Sequence, residues 1–197
     1  MHQKIILIII SLTILSVQGM AQQEILEDGD DVIMGNKLFT KRNSWITIGG
    51  GTGYYFERPQ QELSFGMDVN VRILGHYLTF GYLNSGTNFI TKYSPKILHD
   101  FHLAYGWRKE NIRWNRYAII GPSLCMGFGY GFKEADGDVK LEGFIDPGIY
   151  GEYQLVYKPF YDMGIGLALY GSACMAYQTV GVKSTLYLST AFIGLME

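Results

Sequence analysis

The stretch LSFGMDVNVRI, residues 63–73, alternates without a break. Leu63, Phe65, Met67, Val69, Val71 and Ile73 are apolar, and Ser64, Gly66, Asp68, Asn70 and Arg72 stand between them. Successive side chains of a strand point to opposite faces, so one face here is wholly apolar and the other small, polar or charged. Two arrangements satisfy such a strand. A soluble sheet turns the apolar face into a core, whereas a strand crossing a bilayer turns it out to lipid for about ten residues. The remaining sequence decides between them.

Composition favours the second. The chain has 197 residues, room for one domain, and a formal net charge of −2, which offers no basic field for nucleic acid. Charged residues are only 17%, while Gly numbers 25 and Tyr 15, a mixture suited to curved strands carrying amphipathic rings. The amino terminus reads as an export signal over 1–21: Lys4, an apolar run over 5–17, then Gly19-Met20-Ala21 as a small-residue cleavage site. Cleavage after Ala21 is expected, with Gly19 as the nearby alternative. No later stretch is long and apolar enough for a transmembrane helix. Residues 22–43 show no period and gather Glu24, Glu27, Asp28, Asp30 and Asp31, so they read as a solvated acidic segment. A calcium loop would need oxygen ligands at alternate positions with a closing Glu, which this segment lacks.

From 44 onward the alternation recurs. Strands are expected at 44–56, 63–73, 76–84, 97–108, 116–132, 143–157, 161–177 and 184–196. Longer loops are expected near 85–96, 133–142 and 178–183, and a short one at 57–61, with tight turns at the opposite end. The glycines of GGGTG at 49–53 precede Tyr54-Tyr55-Phe56, which are strand formers, so they do not open a nucleotide loop. Pro122 and Pro147 fall inside strands, where each removes a ladder hydrogen bond and predicts a bulge. Aromatic residues collect toward strand ends: Tyr54, Phe56, Tyr82, Tyr130, Phe132 and Tyr177 at one, and Trp45, Tyr77, Tyr105, Trp107, Trp114, Tyr117, Tyr157 and Phe160 at the other. Two such belts suit a bilayer.

The inward face then holds Asp68, Arg72, Asp100, His102, Arg108 and Glu152. An eight-stranded barrel is only wide enough for side chains to fill it, so these are read as a structural network of paired charges rather than a pore. His99 and Asp100 are neighbours in sequence and so point to opposite faces, which denies them a shared catalytic site with Ser94 or Ser123. No catalytic, cofactor-binding or metal-binding residues are assigned. Cys125 and Cys174 fall on strands separated by a third, about 10 Å apart, too far for a disulfide, so free thiols are expected.

With SWITIGGGTGYYF at 44–56, LSFGMDVNVRI at 63–73 and AIIGPSLCMGFGYGF at 118–132, the chain resembles the small outer-membrane β-barrel superfamily that includes OmpA, OmpX and opacity proteins. The likeness is architectural and covers 44–196. It implies an all-β, eight-stranded antiparallel up-and-down transmembrane β-barrel, extending over 44–197, in contact with outer-membrane lipid. Members of that superfamily serve as adhesins, structural barrels, lipid-modifying enzymes or secretion-system accessories, so the resemblance does not settle function. The reading taken from the residues is a non-enzymatic monomer with a structural role or one of meeting extracellular or envelope proteins through its loops. Two rival readings are a soluble lipocalin-like barrel holding an apolar ligand and an outer-membrane lipid-modifying enzyme.

Overall fold

The computed structural model describes residues 25–56, 60–86, 97–133 and 139–195. Three short strands come first, β1 (Ile25–Asp28), β2 (Asp31–Met34) and β3 (Lys37–Thr40). Eight strands then close a barrel: β4 (Trp45–Tyr55), β5 (Gln60–Ile73), β6 (His76–Gly86), β7 (Ile97–Glu110), β8 (Trp114–Lys133), β9 (Val139–Tyr157), β10 (Met163–Cys174) and β11 (Gln178–Ser189). Each pairs antiparallel with its sequence neighbours, and β11 returns to β4 with Ser184 opposite Gly50. A final strand, β12 (Phe192–Leu195), leaves the barrel and pairs with β3. The architecture is all-β, as the alternation requires.

Parity along β5 is as the sequence demands. Glu62, Ser64, Asp68 and Asn70 are buried inside the barrel, and Leu63, Phe65, Met67 and Ile73 are exposed on its outer wall. The same inversion of an ordinary soluble core continues around the circumference. Phe80 on β6, Phe101 and Leu103 on β7, Ile120 and Leu124 on β8, Ile149 on β9, Leu167 and Leu169 on β10, and Val182 and Leu186 on β11 all face out. Inside, Trp45, Leu83, Tyr117, Tyr150, Tyr170 and Tyr187 pack with Ala104, Ile119 and Val156 as the apolar part of the filling. Two glycines make room for neighbouring side chains: a Cβ at Gly81 would sit 1.9 Å from the His102 ring, and one at Gly106 would sit 2.0 Å from the Tyr117 hydroxyl. The β5–β6 connection is the expected two-residue hairpin, with Leu74 and Gly75 both at positive φ (50° and 88°), the signature of a type I′ turn.

Several expectations need correction. The segment expected as a loop at 178–183 is the first half of β11, paired with β4 from Thr179↔Tyr55 onward and with β10. The strand expected at 184–196 is two strands, since β11 ends at Ser189 and β12 belongs to another sheet. The loop expected at 133–142 is shorter, because Lys133 ends β8 and Val139 begins β9, and β6 runs on through Gly86. The rest of these loops, 87–96 and 134–138, and the export segment 1–21 lie outside the described residues.

The acidic segment is also structured. β1, β2 and β3 form a meander that β12 extends to a four-stranded sheet. Its inner face packs on the barrel end where β4 begins and β11 finishes: Val32, Met34 and Phe39 bury against Tyr161 and Ala191, and the Phe39 and Tyr161 rings lie 5.3 Å apart. The alternation Val32, Met34 on β2 carries this face, but four-residue strands are too short for a clear period.

Neither proline makes a bulge. The β7–β8 ladder lacks pairs at Leu103–Ala104, beside Gly121–Pro122, yet resumes in the same register, His102↔Ser123 on one side and Tyr105↔Ile120 on the other. Pro147 lies one residue beyond the last β9–β10 pair, Cys174↔Gly148, so its missing N–H falls at a free edge. Register shifts occur elsewhere, between Tyr130 and Lys133 near the tip of β8 and between Phe192 and Gly194 in β12.

The aromatic belts are thinner than their sequence positions suggest. Tyr54, Phe56, Tyr105, Trp107, Trp114 and Phe160 face outward, but Trp45, Tyr117 and Tyr177 are buried inside and Tyr77 packs against that core. Nearness to a strand end is not enough; parity decides.

Candidate functional site

The strongest concentration of chemistry lies inside the barrel at mid-height. β5 contributes Asp68, β7 Asp100 and His102, β9 Tyr150, Glu152 and Gln154, and β11 Lys183, each on the inward parity of its strand. Lys183 Nζ donates to Glu152 Oε2 at 2.7 Å and to the Tyr150 hydroxyl at 3.2 Å, and lies 3.6 Å from Asp68 Oδ2. Tyr150 hydrogen-bonds Glu152 as well. Gln154 Nε2 donates to Glu152 Oε1 at 2.7 Å, and Thr47 donates to Asp68 Oδ2 at 3.2 Å.

His102 is clamped between two carboxylates. Its Nε2 is 3.0 Å from Asp68 Oδ1 and its Nδ1 is 3.3 Å from Asp100 Oδ1, while the ring stacks on Tyr150 with centroids 3.7 Å apart. Only a doubly protonated imidazole donates at both nitrogens, so this geometry calls for an imidazolium. Asp100 also accepts from Ser172 and, at 3.4 Å, from the Cys125 thiol. The cluster thus sets three carboxylates against the Lys183 ammonium and the His102 ring, each with partners to satisfy it.

A second cluster sits lower, near the capped mouth. Arg108 Nη2 pairs with Glu110 Oε2 at 2.8 Å and donates to the Tyr187 hydroxyl at 2.8 Å. Its Nε reaches Asn115 and its Nη1 reaches Asn43, both at 2.9 Å, and the guanidinium lies 4.1 Å over the Trp45 ring. Lys158, in the turn after β9, pairs with the same Glu110 and lies 3.8 Å over the Tyr161 ring. Burial pushes the Lys158 ammonium down to about 8, with Glu110 opposing that shift.

Of the residues expected in the interior, Asp68, Asp100, His102 and Glu152 come together in the central cluster and Arg108 joins the lower one. Arg72 does not. It is partly exposed at the end of β5, beside Arg42, Ser44 and the β5–β6 turn. Lys183 joins the centre although the polar, Gly-containing stretch 178–183 suggests a loop. The alternation Thr179, Gly181, Lys183, Thr185, Tyr187 was there to place it. Glu110, Lys158 and Glu62, whose Oε2 accepts from Ser85 at 3.1 Å and from Tyr177, also lie outside the expected set.

This arrangement does not assemble a hydrolytic relay. A nucleophilic hydroxyl must be bonded to the imidazole that takes its proton. Here both imidazole nitrogens face carboxylates, and Ser172 is bonded to Asp100 instead. His99 points to the outer wall, where Nδ1 meets the Tyr82 hydroxyl at 2.8 Å. Cys125 and Cys174 are free thiols, as their strands required. The interior is polar and filled by side chains, the reverse of a lipocalin-like barrel that shelters an apolar ligand.

A closed eight-stranded antiparallel barrel with an apolar exterior and an ion-paired interior is the architecture of the small outer-membrane barrel proteins. Among solved structures it is similar to Neisserial surface protein A, with a TM-score of 0.55 and 7% identity, covering 74% of this chain and 95% of that one. It is likewise similar to Ail, the attachment invasion locus protein of Yersinia pestis, with a TM-score of 0.54 and 10% identity, covering 75% and 97%. At such identities the likeness is one of fold. No family model matches the sequence, and no curated protein matches it.

Proposed function

We propose that this chain is a non-enzymatic, monomeric outer-membrane barrel, exported by a cleaved signal over 1–21, whose loops away from the chain termini meet partners outside the cell. In this reading 22–43 lies on the periplasmic side, where β1, β2 and β3 belong to the small sheet beneath the barrel. The observation that carries it is the polarity of the wall: large apolar side chains face outward on all eight barrel strands while carboxylates, Lys183 and His102 face inward. A soluble monomer rarely exposes a contiguous apolar patch beyond a few hundred Å², and a bilayer removes that difficulty. A structural role for the interior is supported by its bonding, since each charged member of the central cluster has protein partners. A surface-interaction role is supported by the likeness in fold to Ail, the attachment invasion locus protein.

Membrane fractionation with unboiled gel electrophoresis tests this. The expected outcome is co-sedimentation with outer membranes and a folded band that shifts on boiling. Recovery as a soluble protein without detergent would overturn it.

A further inference from the structure

Above the mouth, the barrel interior does not balance its charge. The buried carboxylates there are Glu62, Asp68, Asp100 and Glu152, set against Lys183 and His102. Lys183 is committed to Glu152 and Asp68, at 2.7 and 3.6 Å, and the His102 ring to Asp68 and Asp100. Glu62 is the carboxylate left over. It is only 2% exposed, and no cation among the described residues pairs with it. A charge left uncompensated in a closed interior is costly, so something must answer it.

What surrounds Glu62 is oxygen. Its Oε2 accepts from Ser85 at 3.1 Å and from the Tyr177 hydroxyl. Its Oε1 has no hydrogen-bond partner among the described residues, and neither have Ser64 Oγ and the Tyr170 hydroxyl, all of them buried. These three oxygens belong to one neighbourhood. Strand register sets Gly53 opposite Glu62 and Ser64 opposite Ser85, and the Tyr170 hydroxyl faces Ser64 and Ser85. Glycine makes the room: a Cβ at Gly53 would lie 2.6 Å from the Tyr170 hydroxyl, 2.9 Å from Thr179 Oγ1 and 3.7 Å from Ser85 Oγ. Hydroxyls from β5, β6, β10 and β11 thus gather around one carboxylate at the barrel end away from the chain termini. The stacked Tyr55 and Tyr177 rings, 4.6 Å apart, close that end.

We infer that Glu62 holds a hard monovalent cation of the sodium class, with Glu62 Oε1, Ser64 Oγ and the Tyr170 hydroxyl as its protein ligands. Ser85 and Tyr177 hold the carboxylate in place through its other oxygen. A donor set made only of oxygen suits hard cations, not the metals that prefer sulfur or imidazole. One carboxylate balances one unit of charge, and no group of three His, Cys, Asp or Glu side chains gathers among the described residues to hold a more highly charged metal. A water molecule would satisfy the orphaned oxygens but leave the charge unanswered. By tying β5 to β10 the ion braces the barrel end that carries the longer loops. The site lies inside the barrel, so it does not depend on what the outer wall faces.

The test uses the full chain folded in dodecyl maltoside and follows urea unfolding in sodium chloride and in choline chloride at equal ionic strength, choline being too large for the site. With sodium at about ten times its dissociation constant, the wild-type unfolding constant is expected to be about tenfold lower than in choline. Glu62→Gln keeps the shape and removes the charge, and its two unfolding constants are expected to agree within about twofold. Ser64→Ala/Tyr170→Phe keeps the charge and removes two ligands, so it is expected to need severalfold more sodium for the same effect. Equal unfolding of wild type in the two salts at every concentration overturns the inference, Glu62 then being neutralised by a proton. A sodium effect that persists undiminished in Glu62→Gln overturns it as well, by placing the ion elsewhere. If the double variant does not fold, wild type against Glu62→Gln decides alone.

Discussion

The two charged clusters inside the barrel solve the same problem differently. The central one draws on seven of the eight barrel strands, all but β6, and sets Asp68, Asp100 and Glu152 against Lys183 and His102. Every member is placed by strand parity alone. The lower one draws Arg108 and Glu110 from β7 but takes Asn43 and Lys158 from connecting segments, and the small sheet covers it through Phe39 and Tyr161. Its carboxylate is shared by two cations, while the central carboxylates share one ammonium and one imidazolium. The centre is therefore short of positive charge, and the mouth is not. A cation lost from the centre should cost more than one lost from the mouth.

Lys183→Met sharpens that contrast most. It leaves Glu152 and Asp68 facing each other in a closed interior, and breaking a buried ion pair from one side costs about 3–5 kcal/mol. Urea unfolding in lipid vesicles should show a loss of that size, partly recovered by adding Glu152→Gln. An unchanged midpoint would mean that the centre does not depend on Lys183. Arg108→Met should cost less, about 2–3 kcal/mol, the scale of hydrogen bonds to a charged group. Lys158 remains there to pair with Glu110, and Met keeps some of the packing on Trp45. If Arg108→Met proves the more damaging, the ranking of the two clusters is wrong.

The same contrast explains what could be read from the sequence. LSFGMDVNVRI and the regular period of β7 and β9 place Asp68, Asp100, His102 and Glu152 inside, because a two-residue period fixes the face of each side chain. Lys183 obeyed the same rule but was hidden by a misplaced strand start, since Gln178-Thr179-Val180-Gly181 resembles a polar, Gly-containing connector. Lys158 and Asn43 obey no period at all. They lie beneath the sheet formed by β1, β2, β3 and β12, which brings together segments about 150 residues apart in sequence, as in Phe192↔Phe39. Trp45, Tyr117 and Tyr177 show the opposite failure: a position near a strand end suggested the bilayer surface, while parity sent them inward.

Removing the cover tests whether it belongs to the mouth or only rests on it. Phe39→Ala takes away the ring that meets both Tyr161 and Phe192, at 5.3 and 5.7 Å. Truncating a buried Phe in a core costs about 3–5 kcal/mol, but a small sheet can open without the barrel, so the global effect should be nearer ~1 kcal/mol. Hydrogen exchange should show faster exchange of amides in β2, β3 and β12 with protection of β5 and β7 unchanged. Faster exchange throughout the barrel would show instead that cover and barrel unfold as one unit.

The last effect is a pH dependence carried at the mouth by Lys158. Lys158 is buried by the turn and its cover, and burial brings its ammonium from an ordinary 10.5 to about 8 despite Glu110. Between those values the unfolded chain binds more protons than the folded one, so stability rises as pH climbs from about 8 toward 10.5, by at most about 1.4 kcal/mol per unit. The cost of a charged Lys158 is fully present below the folded value and relieved above it. Unfolding of wild type and Lys158→Met should therefore diverge in slope across this window, with Lys158→Met the flatter. Because Phe39→Ala lets water reach Lys158, it should move the value back toward 10.5 and flatten the slope as well. A slope that survives in Lys158→Met would assign the dependence to another group and break the link between the cover and the charge beneath it.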